Sequence, residues 1–145
     1  MPLAGVKSAG DGNATVVRLF LAAGIDANAA DSRGITALMR ASARGDLPMM
    51  DMLLKAGAAV NARTVSGGGT ALSWAASDGQ LAAMRLLLKA GAAKDTFDTI
   101  FLIAVRRADV AAMRLLVEHG ANPRADDGET GQTVGQIAET QSAPL

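Results

Sequence analysis
The sequence predicts an all-α fold in which a pair of short helices recurs along the chain, and three observations carry that prediction. One pattern is written three times: "ITALMRASARGDLPMMDMLLKAGAAVNAR" from Ile35, "GTALSWAASDGQLAAMRLLLKAGAAKDT" from Gly69 and "DTIFLIAVRRADVAAMRLLVEHGANPRA" from Asp98. Within each copy the opening Thr and the closing Gly stand at one constant separation (Thr36 to Gly57, Thr70 to Gly91, Thr99 to Gly120), whereas the links from each Gly to the next Thr vary in length. Packed helices joined by surface loops produce this contrast, because loops absorb insertions cheaply and helices in register do not. Finally, half of the residues are apolar, yet the aromatics are three Phe and one Trp. The core is therefore built from Ala, Leu, Val, Ile and Met, whose small or flexible side chains favour close helix packing.

The elements follow in order. Residues 1–33 read as a cap repeat: "NATVVRLFLAAGIDANAADSRG" matches a second helix, with Val17, Phe20 and Leu21 in core positions and Gly24 at its close. Its first helix, near "PLAGVKSA", is expected to be short and degraded by Gly5. In residues 34–67 Thr36 is the expected N-cap of "ALMRASA", "RGD" the turn and "LPMMDMLLKA" the second helix. Pro48 falls in that helix's first turn, where a missing N–H does no harm, and Gly57 ends it. Residues 68–96 and 97–130 repeat the scheme. Across the second helices Leu47/Leu81/Val110, Met50/Met84/Met113, Leu53/Leu87/Leu116 and Leu54/Leu88/Val117 recur at i, i+3, i+6 and i+7, a stripe expected to be buried. Asp51, Arg85 and Arg114 share a column on the solvent face. Met50, Met84 and Met113 read as gap fillers; Met39 and Met49 receive no assignment. Residues 131–145, with "TVGQIAETQ", read as a half-repeat cap whose polar side faces water, which favours a monomer. The link from Gly91 to Thr99 is markedly shorter than that from Gly57 to Thr70, so its loop should be blunted or missing. "TVSGGG", residues 64–69, should be mobile, since its glycines permit many conformations.

Composition excludes several functions. At 145 residues one folding unit is expected. Lys plus Arg and Asp plus Glu stand at 14 each, so no global field favours nucleic acid or an anionic membrane. Without cysteine there is no disulfide, thiolate nucleophile or Cys-based metal site. Apolar runs stop well short of the roughly 18 residues a membrane-spanning helix needs, and the start lacks the pattern of a signal peptide. The compartment stays open, with the cytoplasm favoured. His119 is the only histidine and has no second ligand or nucleophile in its register. Asp95/Asp98 and Asp126/Asp127 fall in loops and read as solvated charge. "GDGNA" and "SGGGT" lack the Gly-Lys-Ser/Thr ending of a phosphate loop. No enzyme and no cofactor are expected.

The repeat period, the Thr-x-Leu openings and the closing "LLKAGAAVNA" resemble the ankyrin repeat over residues 12–138, in about four repeats. The usual Thr-Pro-Leu-His opening is written here as "TALM", "TALS", "TIFL" and "TVGQ", without its Pro and His. The resemblance implies an ankyrin-repeat solenoid of stacked antiparallel helix pairs, hairpin fingers at roughly right angles to them, and a concave face. Asn28, Asn61 and Asp95 share a column after the closing Gly, where a short polar side chain can brace a turn. Trp74 shares its column with Arg40 and Ile103; it is either packing between first helices or a partly exposed aromatic anchor. The function implied is a non-enzymatic module that binds another protein or peptide; the alternative is a regulatory or docking arm of a larger enzyme or receptor. By register the partner-contacting residues are Ser32, Arg33 and Ile35 from the first link, Arg44, Trp74, Ser77, Asp78, Arg106 and Arg107 from the first helices, and Glu129, Thr130 and Gln132 from the last link. Arg33, Arg44, Arg106 and Arg107, interrupted by Asp78, either suit an acidic partner segment or form an ordinary solvated face.

Overall fold
The structure, a computed structural model, describes residues 2–123. Helices α1 (Pro2–Gly10), α2 (Ala14–Ala22), α3 (Ala37–Arg44), α4 (Leu47–Lys55), α5 (Ala71–Ser77), α6 (Leu81–Lys89), α7 (Phe97–Arg106) and α8 (Val110–Glu118) alternate with turns and loops. The sole β-type pairing among the described residues is an isolated antiparallel bridge, Ala30 to Thr36. This is the all-α repeat fold that the spacing predicts. The chain divides into two compact units, Met1–Ala92 and Ala93–Leu145. In the first, α1, α3 and α5 form a row with α3 in contact with both neighbours; α2, α4 and α6 each pack on the helix they follow, and α4 meets α6. In the second, α7 packs on α8.

Local chemistry starts and stops these helices. Thr36 Oγ1 accepts a hydrogen bond from Met39 N at 3.3 Å. Thr70 and Ser73 form a reciprocal capping box, in which Ser73 N donates to Thr70 Oγ1 and Thr70 N to Ser73 Oγ. The second helices have their own capping column: Asn13, Asp46 and Asp109 accept from Val16, Met49 and Ala112 amides at 3.1, 3.2 and 3.1 Å. Gln80 stands in that column without capping its own helix; its Nε2 instead donates to Ala43 O at 3.1 Å, joining α6 to the preceding pair. Gly24, Gly57, Gly91 and Gly120 close the second helices with φ between 85° and 107°, where a Cβ is strained.

Three sequence expectations change and a fourth is refined. First, α1 is as long as α2 despite Gly5. Packing against α2 and α3 outweighs a weak local propensity. Second, Thr99 does not open its unit: a 3-10 turn, Lys94–Thr96, leads into a helix that begins at Phe97, which is itself buried. The shortened link accordingly forms no two-stranded finger. Third, the stripe of the second helices is centred elsewhere. Met49, Met50 and Leu53, then Ala83, Met84 and Leu87, then Ala112 and Leu116 are buried, while Leu47 (38% exposed), Val110 (60%) and Val117 (42%) are not and Leu54 is half-buried. At about 100° per residue, the positions of Leu47 and Leu54 lie roughly 110° and roughly 90° from the centre of the Met49–Met50 face. They are its flanks, so their burial depends on each repeat's surroundings. Met39 is fully buried too. The solvent column Asp51, Arg85, Arg114 is exposed as expected. Fourth, the Asn column braces turn backbone as expected, and the turn it reaches is that of the next repeat. Asn28 Nδ2 donates to Gly57 O at 3.1 Å and its Oδ1 accepts from Ala59 N, and Asn61 Nδ2 donates to Gly91 O at 3.2 Å. In the second unit Asp98 makes a similar reach, accepting from Asn122 N at 3.1 Å.

Asn28→Ala removes two bonds that tie one repeat to its neighbour. At about 0.5–1.5 kcal/mol net for each, it lowers stability by about 1–3 kcal/mol in urea unfolding. Asp51→Ala, which breaks only the exposed pair with Lys55 at 2.7 Å, costs under about 0.5 kcal/mol. Equal losses would show that the Asn column is ordinary surface. The half-repeat expected over 131–145 lies outside the described residues.

Candidate functional site
Two loops and one helix position build a groove in the first unit. The loop 31–35 is shaped by Asp31, whose Oδ1 accepts from both Arg33 N (2.9 Å) and Ile35 N (3.0 Å), while Asp31 N donates to Ile35 O at 3.0 Å. An aspartate satisfying its own turn in this way makes the loop stiff. The loop 64–69, expected to be mobile from its glycines, is laced by Thr64: its N–H donates to Gly69 O, its Oγ1 accepts from Gly69 N and donates to Ser66 O, each at 2.9 Å. Val65 N then donates to Arg33 O at 2.9 Å and couples the two loops.

Between them lies a groove of about 440 Å³, within the range of ligand sites. Ser32, Arg33 and Ile35 form one wall, Thr64, Val65, Ser66, Gly67 and Gly69 the other, and Trp74 of α5 completes the lining. Trp74 is half-buried, with part of its surface lining the groove. Val65 is 79% exposed at the rim and Ile35 is buried in the wall.

A second concavity, about 310 Å³, lies between α1 and α3 and is lined by Val6, Lys7, Gly10, Asp11, Asp31 and Arg40. Arg40 Nη2 is 3.9 Å from Asp31 Oδ2, and Arg33 Nη2 is 3.7 Å from the same oxygen. The Asp31 carboxyl is held below the usual carboxylate range, above all by the Ile35 amide, against an opposing effect of burial; the Arg33 amide and the Arg33 and Arg40 charges add to it. A depressed folded-state pKa means stability that is present above the unfolded value and lost as pH falls through the folded one. Asp31→Asn therefore destabilises the chain at pH 7, and the gap to the parent protein narrows as pH drops below the ordinary carboxylate value of 3.8. Urea unfolding at about pH 7 and about pH 3 checks this; a gap unchanged by pH would refute it.

Of the residues singled out from sequence, Ser32, Arg33, Ile35 and Trp74 meet in the first groove. Arg44 sits elsewhere, its Nη1 donating to Gly10 O at 3.1 Å at the end of α1. Ser77 is the last residue of α5 and Asp78 its C-cap, both exposed. Arg106 and Arg107 hold the matching places on α7 in the second unit. Glu129, Thr130 and Gln132 lie outside the described residues. Sequence reasoning missed the 64–69 wall, although Ser66, Gly67 and Gly69 follow Ser32, Arg33 and Ile35 at one repeat period. His119 caps α8, with Nδ1 2.9 Å from Leu115 O. Among the described residues no group of three His, Cys, Asp or Glu is placed to hold a metal, and no helix is long and apolar enough to cross a membrane.

A family model described as ankyrin repeats, in three copies, matches residues 6–98. The chain is also 39% identical, over 121 residues, to a protein of Treponema pallidum (strain Nichols) described as a putative ankyrin repeat-containing protein. That alignment covers 81% of this chain and 41% of the relative, so the chain spans less than half of the relative's length. Ankyrin repeats are generally protein–protein interaction modules without enzymatic activity. With helix pairs repeating at the family's period and a family model covering most of the described residues, the chain belongs to the ankyrin-repeat family.

Proposed function
We propose that the chain is a non-enzymatic interaction module that holds a segment of another protein in the groove between loops 31–35 and 64–69, with Trp74 as the anchor. The observation that carries this reading is a half-exposed tryptophan, the only one in the sequence, lining a groove whose two walls are already hydrogen-bonded to each other. Large aromatics at the centre of a recess supply most of the energy at many interfaces, and walls formed in advance spare the ordering cost of binding. Arg33, 69% exposed at the side chain, adds a cation on one wall.

Panning a displayed peptide library on the immobilised chain tests the proposal. Selected peptides should lose at least about tenfold in affinity on Trp74→Ala, the loss usual for a central aromatic, and keep it on Arg85→Ala, on the outer face of α6. Peptides indifferent to Trp74 would place the binding surface elsewhere. A second reading, a docking arm within a larger protein, draws support from the relative's greater length; the same groove would then serve a segment of its own chain.

A further inference from the structure
We infer that the concavity between α1 and α3 is a carboxylate subsite built on Arg40, which takes an Asp or Glu side chain of the same partner segment whose apolar side chain occupies the Trp74 groove. This rests on the function proposed above and adds to it the chemistry and spacing of the partner.

The N-cap column Asn13, Asp46, Gln80 puts Lys7, Arg40 and Trp74 at one register position of α1, α3 and α5, each a single repeat period from the next. They therefore line one face of the row in which α3 touches both neighbours. Adjacent packed helices lie about 8–10 Å apart, and an extended chain advances about 3.3 Å per residue. A segment crossing the row thus meets Arg40 and Trp74 with side chains about three residues apart.

The Arg40 side chain is held, and its ion pair with Asp31 is long. Its stem lies against Gly10, where a Cβ would come within 3.0 Å of Arg40 Cδ. Its Nε is buried with no hydrogen-bond partner, and Nη2 stands 3.9 Å from Asp31 Oδ2, beyond hydrogen-bond reach. A guanidinium carries five N–H donors in a fork that fits a carboxylate. With a side chain 34% exposed, it combines a buried stem with access to the concavity. The other charges lining the space are accounted for. Asp31 Oδ1 is engaged by the Arg33 and Ile35 amides, so a cationic guest would have to compete with the loop's own hydrogen bonds. Lys7 pairs with Asp11 at 3.3 Å; both are well exposed, and such a pair yields readily to a better partner. Lys7 and Arg40 balance Asp11 and Asp31 in charge, so what favours an anionic guest is the unsatisfied Arg40 fork, with Lys7 as an adjustable donor.

The peptides selected by panning provide the test, read by fluorescence anisotropy of the labelled peptide on the full chain. They should share an Asp or Glu about three positions from the apolar residue that depends on Trp74. Replacing that acid by its amide should weaken binding about tenfold on the parent protein and have no effect on Arg40→Met, which keeps the stem and removes the charge. The peptide-side change needs no protein variant, so the test stands even if Arg40→Met folds poorly. Trp74-dependent peptides that lack the acid, that carry Lys or Arg in its place, or whose acid-to-amide change is silent would overturn the carboxylate subsite while leaving the groove intact. Binding that ignores Trp74 would overturn the groove, and this inference with it.

Discussion

Leu87→Ala should lower the free energy of unfolding by about 2–5 kcal/mol, a large share of the roughly 5–15 kcal/mol that holds a domain together. Leu87 is fully buried on α6, in the column it shares with Leu53 and Leu116, and α6 packs on both α5 and α4. Truncation removes the transfer energy of the side chain and leaves a cavity whose cost depends on how far the surroundings collapse. They are poor at collapsing. Ala75, Ala76 and Ala83, all buried on these helices, have no rotamers with which to fill a void. Met84, also fully buried, is the flexible side chain that can soften the loss and draw it toward the lower end. Urea unfolding followed by helical circular dichroism measures the change, with Val65→Ala, at the exposed rim, shifting by less than about 0.5 kcal/mol. A Leu87→Ala loss below about 1 kcal/mol would mean that α6 is not part of a close-packed core.

Gly34→Ala should cost about 1–3 kcal/mol and, unlike most destabilising changes, should alter the groove itself. Gly34 has φ of 79°, a conformation that strains any Cβ. A Cβ there would also meet Val65 N at 3.0 Å, Arg63 O at 3.2 Å and Thr64 Cα at 3.2 Å. All three are backbone atoms of the opposing loop, with no flexible end to swing aside. The loop must back away, and the bond from Val65 N to Arg33 O that joins the walls must lengthen. Trp74, as the chain's only tryptophan, reports this directly through a red shift of its emission as water enters. Gly57→Ala is the control, because its φ of 92° imposes the backbone strain while nothing stands within 4 Å of the added carbon. It should lose about 1–2 kcal/mol with the emission unchanged. Identical emission in the two variants would show that the loops do not hold the groove shut.

What was legible in the sequence followed from periodicity. Thr36, Thr70, the closing glycines and the constant distance between them located the helix pairs, because caps and left-handed glycines act within a few residues of where they stand. The shortened third link was readable for the same reason: the stretch from Gly91 to Thr99 has too little chain for the finger that the stretch from Gly57 to Thr70 can carry. Less legible were positions whose burial depends on a neighbour. Met49 and Leu47 stand close together in sequence and both are apolar, yet one is wholly buried and the other faces water, since only the placement of the adjoining helices decides which arc of α4 is covered. Ser32, Arg33, Ile35 and Trp74 could be named by register, but Val65 and Thr64 could not. Their role comes from a hydrogen bond between loops of different repeats, from Val65 to Arg33.

The chain's own pattern was thus enough for the all-α repeat architecture, the helix boundaries set by Thr36, Thr70 and the closing glycines, and the membership of a family generally made for contact with other proteins. It took packing in three dimensions to establish that Asn28 and Asn61 fasten one repeat to the next, that Arg44 serves the end of α1, and that Arg40 is held against Gly10 with donors to spare. The division has one physical cause. Helix formation and capping are short-range and leave a periodic mark in the chain, whereas side-chain partnerships between repeats join positions a full repeat period apart, and no local pattern encodes which of them will pair.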